Sequence, residues 1–274
     1  MQCVITGANT GIGKITATAL AKAGHAVTLA SRSRDKTLPV IEEIKQATGN
    51  DRVQFVALDL GDLDSVRRAA DEILALGPIN VLINNAGLVA RGQTKQGFEL
   101  TFGTNHLGHY LLTRLLLDRI KASTPARLVN VSSHSHYRAK GIDWDAQTKT
   151  TRSISGLPEY EVSKLANVLF TTELARRLDG TGVTTYAVHP GVVATDVWRR
   201  IPWPLRSLAK LFMLSPEKGA ESTIVAATSP ELASHTGRYY TVGGKEKRPS
   251  RVAQDQALAR ELWDRSAAWV GLDA

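Results

Sequence analysis

Short apolar runs alternate with amphipathic stretches along most of this chain. The apolar runs, rich in Val, Ile and Leu, predict strands at 4–6, 26–30, 53–58, 81–83, 127–131 and 183–188. Apolar residues at helical spacing predict helices at 15–23, 37–48, 65–76, 98–119 and 160–178. Strands that are apolar throughout are buried on both faces. The alternation therefore predicts one α/β domain over 1–274, with a doubly wound parallel sheet and helices on both faces.

Composition narrows the class of protein without identifying it. Of 274 residues, 43% are hydrophobic and 22% are charged, which is an ordinary globular balance. The formal net charge of +8 comes without a polybasic run, so no nucleic-acid partner is expected and part of the charge suits an anionic ligand. No apolar run approaches the ~20 residues of a transmembrane segment, and no signal-peptide pattern is visible. With Cys3 as its one cysteine, the chain is predicted to be cytoplasmic.

A glycine-rich segment lies between the first predicted strand and the first predicted helix. Residues 6–13 read Thr-Gly-Ala-Asn-Thr-Gly-Ile-Gly. Glycines allow a tight turn that a pyrophosphate can approach closely, and the helix start offers free N–H groups and a positive dipole end. The spacing differs from the common G-x-G-x-x-G pattern, and a purely structural turn is the alternative. The position between strand and helix favours a dinucleotide site.

The end of the second predicted strand indicates which dinucleotide would bind. Sites for NAD usually place Asp or Glu about 20 residues beyond the glycine loop. Here Arg32 follows the strand, and no acidic residue occurs before Asp35. Arg32, assisted by Lys14, is suited to hold a 2′-phosphate, so the sequence predicts NADP(H), with NAD(H) as the alternative. Asp59, after the third strand, is suited either to bind the adenine amine or to cap the next segment.

Tyr160 and Lys164 lie four residues apart and therefore share one face of the helix predicted at 160–178. A free tyrosine has a pKa of about 10 and is a poor acid or base at neutral pH. A neighbouring ammonium favours phenolate. We therefore expect Lys164 to lower the pKa of Tyr160 and to make it a general acid/base. Taken alone, such a pair also arises by chance.

These features together resemble the short-chain dehydrogenase/reductase superfamily, whose motifs recur here in order. The matches are T-G-x-x-x-G-x-G at 6–13, N-N-A-G at 84–87, a serine motif at 132–133, Y-x-x-x-K at 160–164 and P-G with its threonine at 190–195. Residues 97–109, 163–167 and 245–250 are similar to the retinol dehydrogenase-like branch, which includes the oxidoreductase domain of WW-domain oxidoreductases. The resemblance implies a Rossmann-type fold.

The resemblance also implies a role for each matched residue. Tyr160 would be the acid/base, and Lys164 would lower its pKa and bind the nicotinamide ribose. Ser133, which occupies the family position rather than Ser132, would hold the substrate oxygen. Asn105 would support a water-linked proton path to Lys164; its other interpretation is a polar residue that interrupts a helix. The expected cofactor-binding residues are Gly7, Asn9, Thr10, Gly11, Ile12, Gly13, Arg32, Asp59, Leu60, Asn85, Ala86, Gly87, Tyr160, Lys164, Pro190, Gly191, Val193 and Thr195.

Members of this branch act on apolar alcohols and carbonyls, usually with NADP. The resemblance therefore implies an oxidoreductase that transfers a hydride between NADP(H) and an apolar alcohol, aldehyde or ketone. The alternative is an NADP(H)-binding sensor without turnover, which would have no need of the Ser–Tyr–Lys set. The superfamily commonly dimerises through two long helices, here 98–119 and 160–178, so a homodimer is a further expectation.

Two regions bear on the substrate. Residues 134–159 form a longer connection between Ser133 and Tyr160 than in many superfamily members, and are expected at the pocket mouth. Residues 195–216 correspond to the family's substrate-binding loop. Their apolar residues suit a pocket lid, and the alternatives are core packing and weak contact with a membrane surface. These residues are Trp198, Trp203, Leu208, Phe212 and Met213.

The histidines invite a metal interpretation. His106 and His109 are three residues apart, and His134 and His136 are two apart. Cysteine partners and acidic ligands at suitable spacing are not evident, so no metal site is expected. A glycosylation triplet begins at Asn130, but it lies in a predicted buried strand and is discounted.

Overall fold

The computed structural model describes residues 1–191 and 214–274. Within these residues, eight strands form one sheet in the order β3-β2-β1-β4-β5-β6-β7-β8. Neighbouring strands are parallel except at the edge, where β8 is antiparallel to β7. The strands are β1 Gln2–Thr6, β2 Ala26–Ser31, β3 Val53–Ala57, β4 Val81–Asn84, β5 Ala126–Val131, β6 Val183–Val188, β7 Arg238–Thr241 and β8 Lys245–Glu246.

Helices connect the strands and cover the sheet. They are α1 Gly11–Lys22, α2 Arg34–Thr48, α3 Leu63–Ala75, α4 Leu100–Phe102, α5 Gly108–Lys121, α6 Trp144–Gln147, α7 Leu157–Arg177, α8 Pro216–Thr228 and α9 Gln256–Val270. A π-helical segment, Gly103–Leu107, joins α4 to α5. A 3₁₀ turn, His134–Tyr137, follows β5.

Two hydrophobic cores lie on opposite faces of the sheet. In one core, α1, α2 and α8 pack against residues such as Ile5 and Leu29. In the other, α3, α5, α7 and α9 pack against residues such as Leu82 and Leu128. Because both faces are covered, the central strands contain few polar positions. The predicted α/β fold, a doubly wound parallel sheet of Rossmann type, is confirmed.

The C-terminal helix α9 covers α5 and α7. Trp263 is only 3% exposed, and its ring lies 5.1 Å from the ring of Tyr110 and 5.9 Å from that of Phe170. Ser266 Oγ lies 3.0 Å from His106 Nε2, which ties α9 to the π-helical segment. The chain's own C-terminal helix therefore lies on part of the two long helices through which the sequence predicted dimerisation.

The structure departs from the sequence prediction in two places. The helix predicted at 98–119 runs from Leu100 to Lys121, but its hydrogen bonding changes from α to π over Gly103–Leu107, between α4 and α5. An extra residue in one turn leaves apolar periodicity nearly unchanged, so pattern alone does not reveal it. The other difference lies beyond residue 214, where α8, β7, β8 and α9 were not predicted.

Two further observations concern the chain as a whole. Across 1–191 and 214–274, no helix is both long enough and apolar enough to cross a membrane. Cys3 lies in the core of β1, and burial raises the pKa of its thiol to about 12. The thiol is therefore unreactive at neutral pH, in agreement with its interpretation as an inert core residue.

Candidate active site

The candidate site lies at the carboxyl edge of the sheet, where β1 and β4 are neighbours. The chain runs from β1 through β2 to β3 on one side and from β4 through β5 to β6 on the other. Ligands of open α/β sheets bind in the crevice at such a switch point. This topology brings together the glycine loop after β1, the N-N-A-G turn after β4 and the serine turn after β5.

The glycine loop packs so closely against the N-N-A-G turn that Gly7 and Gly13 have no room for a side chain. Gly7 has a φ of 65°. A Cβ atom on Gly7 would lie 2.9 Å from the Cα of Ala86, and one on Gly13 would lie 2.6 Å from Asn85 Nδ2. At the N-terminus of α1, Thr10 provides no side-chain cap, and the first turn contains no acidic residue. These features fit a pyrophosphate bound at the helix N-terminus.

The hydroxyl of Thr6 joins three of the sequence motifs. It accepts hydrogen bonds from the N–H groups of Asn85 (2.9 Å) and Ala86 (3.0 Å). It lies 2.8 Å from His109 Nε2, while His109 Nδ1 lies 3.0 Å from the carbonyl of Asn105. Since a carbonyl only accepts, Nδ1 carries the proton and Nε2 accepts from Thr6. His109 thus connects the glycine loop to the π-helical segment, a role that the sequence did not reveal.

The structure distinguishes the two adjacent serines at the end of β5. Ser132 is 2% exposed, and its hydroxyl donates to the main-chain carbonyl of Lys164 at 2.7 Å. Ser133 is half-buried, and its hydroxyl donates to Ser135 Oγ at 3.2 Å and accepts from Ser135 N at 3.1 Å. The Ser133 side chain also acts on the phenol of Tyr160, whose pKa it lowers. Adjacent strand residues face opposite sides, which accounts for the difference. Of the two serines, Ser133 is the one beside Tyr160; its role in catalysis stays a prediction.

Tyr160 and Lys164 lie in α7 on the same face. Lys164 Nζ is 5.5 Å from the centroid of the Tyr160 ring and donates to the carbonyl of Val131 at 2.9 Å. The lysine is 3% exposed, and burial lowers its pKa to about 8. It remains mostly protonated at neutral pH, so its ammonium lies beside the phenol ring as a cation.

The predicted lowering of the Tyr160 pKa is wrong for this arrangement. Burial raises the pKa of the phenol, and the hydrogen bond from Ser133 only partly opposes that rise. The ammonium of Lys164 points to the Val131 carbonyl rather than to the phenolic oxygen, and a cation over the ring does not stabilise phenolate as a direct contact would. Spacing in the sequence predicted the neighbour correctly but not the direction of its ammonium.

Asn105 lies at the centre of the π-helical segment and is fully buried. Its Oδ1 accepts from Leu88 N at 2.9 Å, and its Nδ2 donates to Leu88 O and to Ser163 Oγ, each at 3.0 Å. A Cβ atom on Gly87 would lie 3.3 Å from Lys164 Nζ and 3.6 Å from Asn105 Oδ1. The structure therefore brings Asn105 and Lys164 to the same turn, and it confirms that Asn105 interrupts the helix.

The residues predicted to select the cofactor lie at the carboxyl ends of β2 and β3. Arg32 is exposed directly after β2. Asp59 Oδ1 accepts from Gly61 N at 2.9 Å, so this side chain caps the turn after β3, one of the two roles expected. Leu60 is 4% exposed. Lys14, expected to assist Arg32, instead contacts both carboxylate oxygens of Glu43, the shorter distance being 2.6 Å.

The P-G motif follows β6 directly. Pro190 is buried, and Gly191 has a φ of 88°, a conformation that favours glycine. A Cβ atom on Gly191 would lie 2.4 Å from Leu214 Cδ1. Val193 and Thr195, expected to bind the cofactor, and the predicted lid residues Trp198, Trp203, Leu208, Phe212 and Met213 lie outside the described residues.

The long connection from 134 to 159 packs beside the site. Glu99, 1% exposed, accepts hydrogen bonds from Thr151 Oγ1 at 2.5 Å and from Phe102 N at 2.6 Å, which anchors the connection to α4. Burial raises the pKa of Glu99. Ile154 is 89% exposed and Leu157 is 39% exposed, close before Tyr160 in the chain. Exposed apolar side chains therefore precede Tyr160 by a few residues along the chain.

Four histidines near the site are held neutral. Burial lowers the pKa of His106 to about 3 and the pKa values of His109, His136 and His189 to about 4. Among the described residues, no cluster of three or more His, Cys, Asp or Glu side chains could hold a metal ion. His136 and His189 had no predicted role. His189 accepts a hydrogen bond from a residue 55 positions away in the sequence, and His136 accepts one from a residue 114 positions away. Pairs so distant leave no local sequence signal.

Known proteins resemble the chain over nearly its full length. A family profile described as short chain dehydrogenase matches residues 2–203. Retinol dehydrogenase 13 of Homo sapiens is 44% identical over 282 residues, which cover 99% of this chain and 85% of that protein. The structure of an uncharacterised protein from Mycobacterium paratuberculosis has a TM-score of 0.77 and 34% identity, covering 99% of this chain and 94% of its own. A 3-ketoacyl-(acyl-carrier-protein) reductase from Brucella melitensis, complexed with NADH, has a TM-score of 0.69 and 25% identity, covering 89% and 97%.

Proposed function

The chain belongs to the short-chain dehydrogenase family of NAD(P)-dependent oxidoreductases, and from this premise we propose that it reduces apolar aldehydes or ketones with NADPH. Tyr160 acts as the general acid, Ser133 holds the substrate oxygen, and Lys164 and Asn105 support proton supply. One observation carries the proposal. The side chains of Ser133 and Lys164 both lie beside the Tyr160 ring, and Lys164 Nζ also approaches the turn at Gly87 that follows β4.

The proposed chemistry divides between cofactor and protein. When bound, the nicotinamide supplies a hydride to the carbonyl carbon. The Ser133 hydroxyl donates a hydrogen bond to the carbonyl oxygen, where negative charge develops, and so stabilises the transition state. Tyr160 donates its proton to the same oxygen. Because burial raises its pKa, the phenol is protonated before the reaction, as the reductive direction requires.

Lys164 and Asn105 would restore the proton. The Lys164 ammonium lies 5.5 Å from the centroid of the Tyr160 ring and is the nearby cation from which a proton would return to the phenolate. Asn105 and Lys164 approach the same turn at Gly87, so a chain of water molecules between them is the proposed route for the returning proton.

The preference for NADP rests on Arg32. Its guanidinium is exposed at the carboxyl end of β2, where the ribose of a dinucleotide lies in this fold. An arginine fork suits a 2′-phosphate, because it donates parallel charge-assisted hydrogen bonds. Lys14 is engaged by Glu43, so Arg32 carries the proposal without its help. NAD(H) remains the alternative cofactor.

We predict that Arg32→Asp weakens NADPH binding by roughly tenfold or more, the size of one lost charge-assisted contact. The affinity for NADH should stay constant or rise, because the new carboxylate can accept hydrogen bonds from free ribose hydroxyls. Fluorescence titration with each cofactor measures the two dissociation constants. Arg34→Asp is the matched control, since it makes the same charge change two residues away at the start of α2 and should affect both cofactors little. Equal losses for NADPH and NADH in Arg32→Asp would rule out the phosphate clamp.

The substrate class rests on the relatives and on the surface beside the site. Several similar proteins are named retinol dehydrogenases, and retinol is a long apolar alcohol. Ile154 and Leu157 present exposed apolar side chains near Tyr160. The predicted lid at 195–216, which begins outside the described residues, stays a prediction.

The test of the function is NADPH consumption against a panel of carbonyls. The panel contains retinal and decanal as long apolar aldehydes, a long-chain ketone, and glyceraldehyde as a short polar control. We expect turnover on the long apolar compounds and little on glyceraldehyde. A preference for glyceraldehyde would contradict the apolar substrate class. NADPH binding without turnover on any compound would favour the sensor.

The sensor is the second candidate, and the site argues against it. A protein that only binds NADP(H) gains nothing from a serine and a tyrosine placed beside a buried lysine. A homodimer stays a proposal as well. Because α9 covers part of α5 and α7, a dimer would have to use other surface or displace that helix. The cytoplasmic location also stays a prediction.

A further inference from the structure

One peptide unit beside the site is held at both of its polar ends by imidazole rings. It joins Ser133 to His134. Its carbonyl oxygen lies 2.7 Å from Nδ1 of His136 and also accepts from His136 N at 3.1 Å. Its N–H donates to Nδ1 of His189 at 3.2 Å. Two histidines that are 53 positions apart in the sequence thus clamp the single peptide that follows the proposed catalytic serine.

The partners of each ring determine its tautomer. The carbonyl of Ser133 can only accept, so His136 carries its proton on Nδ1. His136 Nε2 then accepts from Ser250 N at 3.1 Å, in agreement with that tautomer. His189 Nδ1 faces the N–H groups of His134 and Gly191, the latter at 3.4 Å, so this nitrogen is unprotonated and Nε2 carries the proton. The two neutral histidines therefore have opposite tautomers.

Each ring ties the peptide to a different part of the molecule. His136 links it to the C-terminal segment, which the hydroxyl of Tyr137 also contacts at the carbonyl of Arg248. His189 links it to Gly191 of the P-G motif, on the side where the cofactor is proposed to lie. The clamp thus connects the serine turn, the P-G loop and the tail.

We propose that His136 and His189 are positioning residues, whose rings fix the peptide between Ser133 and His134 and thereby aim the Ser133 hydroxyl at Tyr160. The inference rests on the proposed function, since it gives Ser133 a role in turnover. The mechanical link is the ψ angle of Ser133, 156°, which rotates with this peptide. Ser133 is in extended backbone, and the hydrogen bonds of this peptide hold that angle together with the one from Ser135 N to Ser133 Oγ.

The strength of this arrangement follows from burial. His136 is fully buried, and an unpaired carbonyl or amide in such surroundings costs free energy that the chain avoids by keeping both bonds. Both rings stay neutral at physiological pH because burial lowers their pKa values to about 4. Displacement of a catalytic group by about 1 Å can reduce the rate roughly a hundredfold, so small rotations of this peptide matter.

The test compares two substitutions at each histidine. Asparagine can place a polar atom near the former Nδ1, whereas leucine removes every polar atom of the ring. We expect His136→Leu and His189→Leu to lower kcat on an apolar aldehyde by roughly tenfold to a hundredfold, with the KM for the aldehyde changed much less. The asparagine variants should recover most of that loss. His25→Leu is the matched control, since it makes the same change between α1 and β2, away from the clamp.

A second arm asks whether the effect passes through Ser133. In a Ser133→Ala background, adding His136→Leu should cost little further activity, because no hydroxyl remains to be aimed. A full additional loss in that background would show that the histidine acts by another route and would overturn the inference. Leucine variants with wild-type kcat would overturn it as well.

Imidazole ¹⁵N NMR at neutral pH gives a readout that needs no activity. It should report the proton of His136 on Nδ1 and that of His189 on Nε2. The reverse tautomer at either ring could not form the hydrogen bond described for that ring and would overturn the inference. If the wild type has no turnover on any carbonyl, the proposed function fails while the NMR result still decides the clamp. If a leucine variant does not fold, the kcat of the asparagine variants and the measured tautomers decide whether the two histidines hold the peptide.

Discussion

Tyr160→Phe is expected to lower kcat by roughly 10²–10⁴-fold, the usual contribution of a general acid, while NADPH affinity stays near wild type. The substitution removes the proton donor and leaves the ring beside Lys164 Nζ. Steady-state kinetics on an apolar aldehyde give kcat, and fluorescence titration gives the NADPH dissociation constant. The glycine loop and Arg32, which carry most of the proposed cofactor contacts, are unaffected by the change.

A matched tyrosine separates this effect from loss of stability. Tyr186 is fully buried in β6, and its hydroxyl donates to Leu232 O at 2.6 Å, away from the candidate site. Tyr186→Phe should lower the thermal midpoint and leave kcat close to wild type. A Tyr160→Phe enzyme that retains most of its turnover would show that the acid has been assigned to the wrong residue.

Acidification from pH 7 to pH 4.5 is expected to destabilise the fold steeply. Four buried histidines have folded-state pKa values of about 3 to about 4, against roughly 6.5 in an unfolded chain. Between these values the unfolded chain binds more protons than the folded one. The free energy of unfolding therefore falls as pH drops below about 6.5, by up to ~1.4 kcal/mol per pH unit for each histidine. Urea denaturation at a series of pH values measures the slope.

Glu99 opposes this trend, and the His106→Gln variant measures the contribution of one histidine. Burial raises the pKa of Glu99, so the folded state takes up that proton first and loses slightly less stability in acid. His106→Gln keeps a polar atom near Ser266 Oγ but cannot titrate, so the slope should decrease by about one histidine's share. A free energy of unfolding that stays flat between pH 7 and pH 5 would contradict the account of neutral buried histidines.

The fold could be predicted well where burial determines the sequence pattern. Strands β1, β2, β4, β5 and β6 lie inside a sheet covered on both faces, so they appear as short apolar runs. Strand β7 and the edge strand β8 have four and two residues, too few to give a pattern. The π-helical segment around Asn105 depends on contacts with Leu88 and Ser163, which the order of the residues does not display.

The site could be predicted in part for the same reason. Spacing along one helix placed Tyr160 beside Lys164, and ordered motifs indicated Ser133 and Asn105. The Lys164 ammonium points to the carbonyl of Val131, which lies at the end of β5 and far from Lys164 in the sequence. The spacing along α7 does not show this contact, and the expected lowering of the Tyr160 pKa was wrong. Chemistry that depends on distant partners requires the folded structure.

The most direct test of the central claim is hydride transfer itself. The wild-type protein is incubated with retinal and with NADPH carrying deuterium at both C4 positions, and the alcohol product is analysed by mass spectrometry, with Tyr160→Phe in parallel. We predict retinol with one deuterium from the wild type and almost none from the variant. Unlabelled retinol, or equal labelled product from both proteins, would contradict hydride transfer to a carbonyl at this site with Tyr160 as the acid.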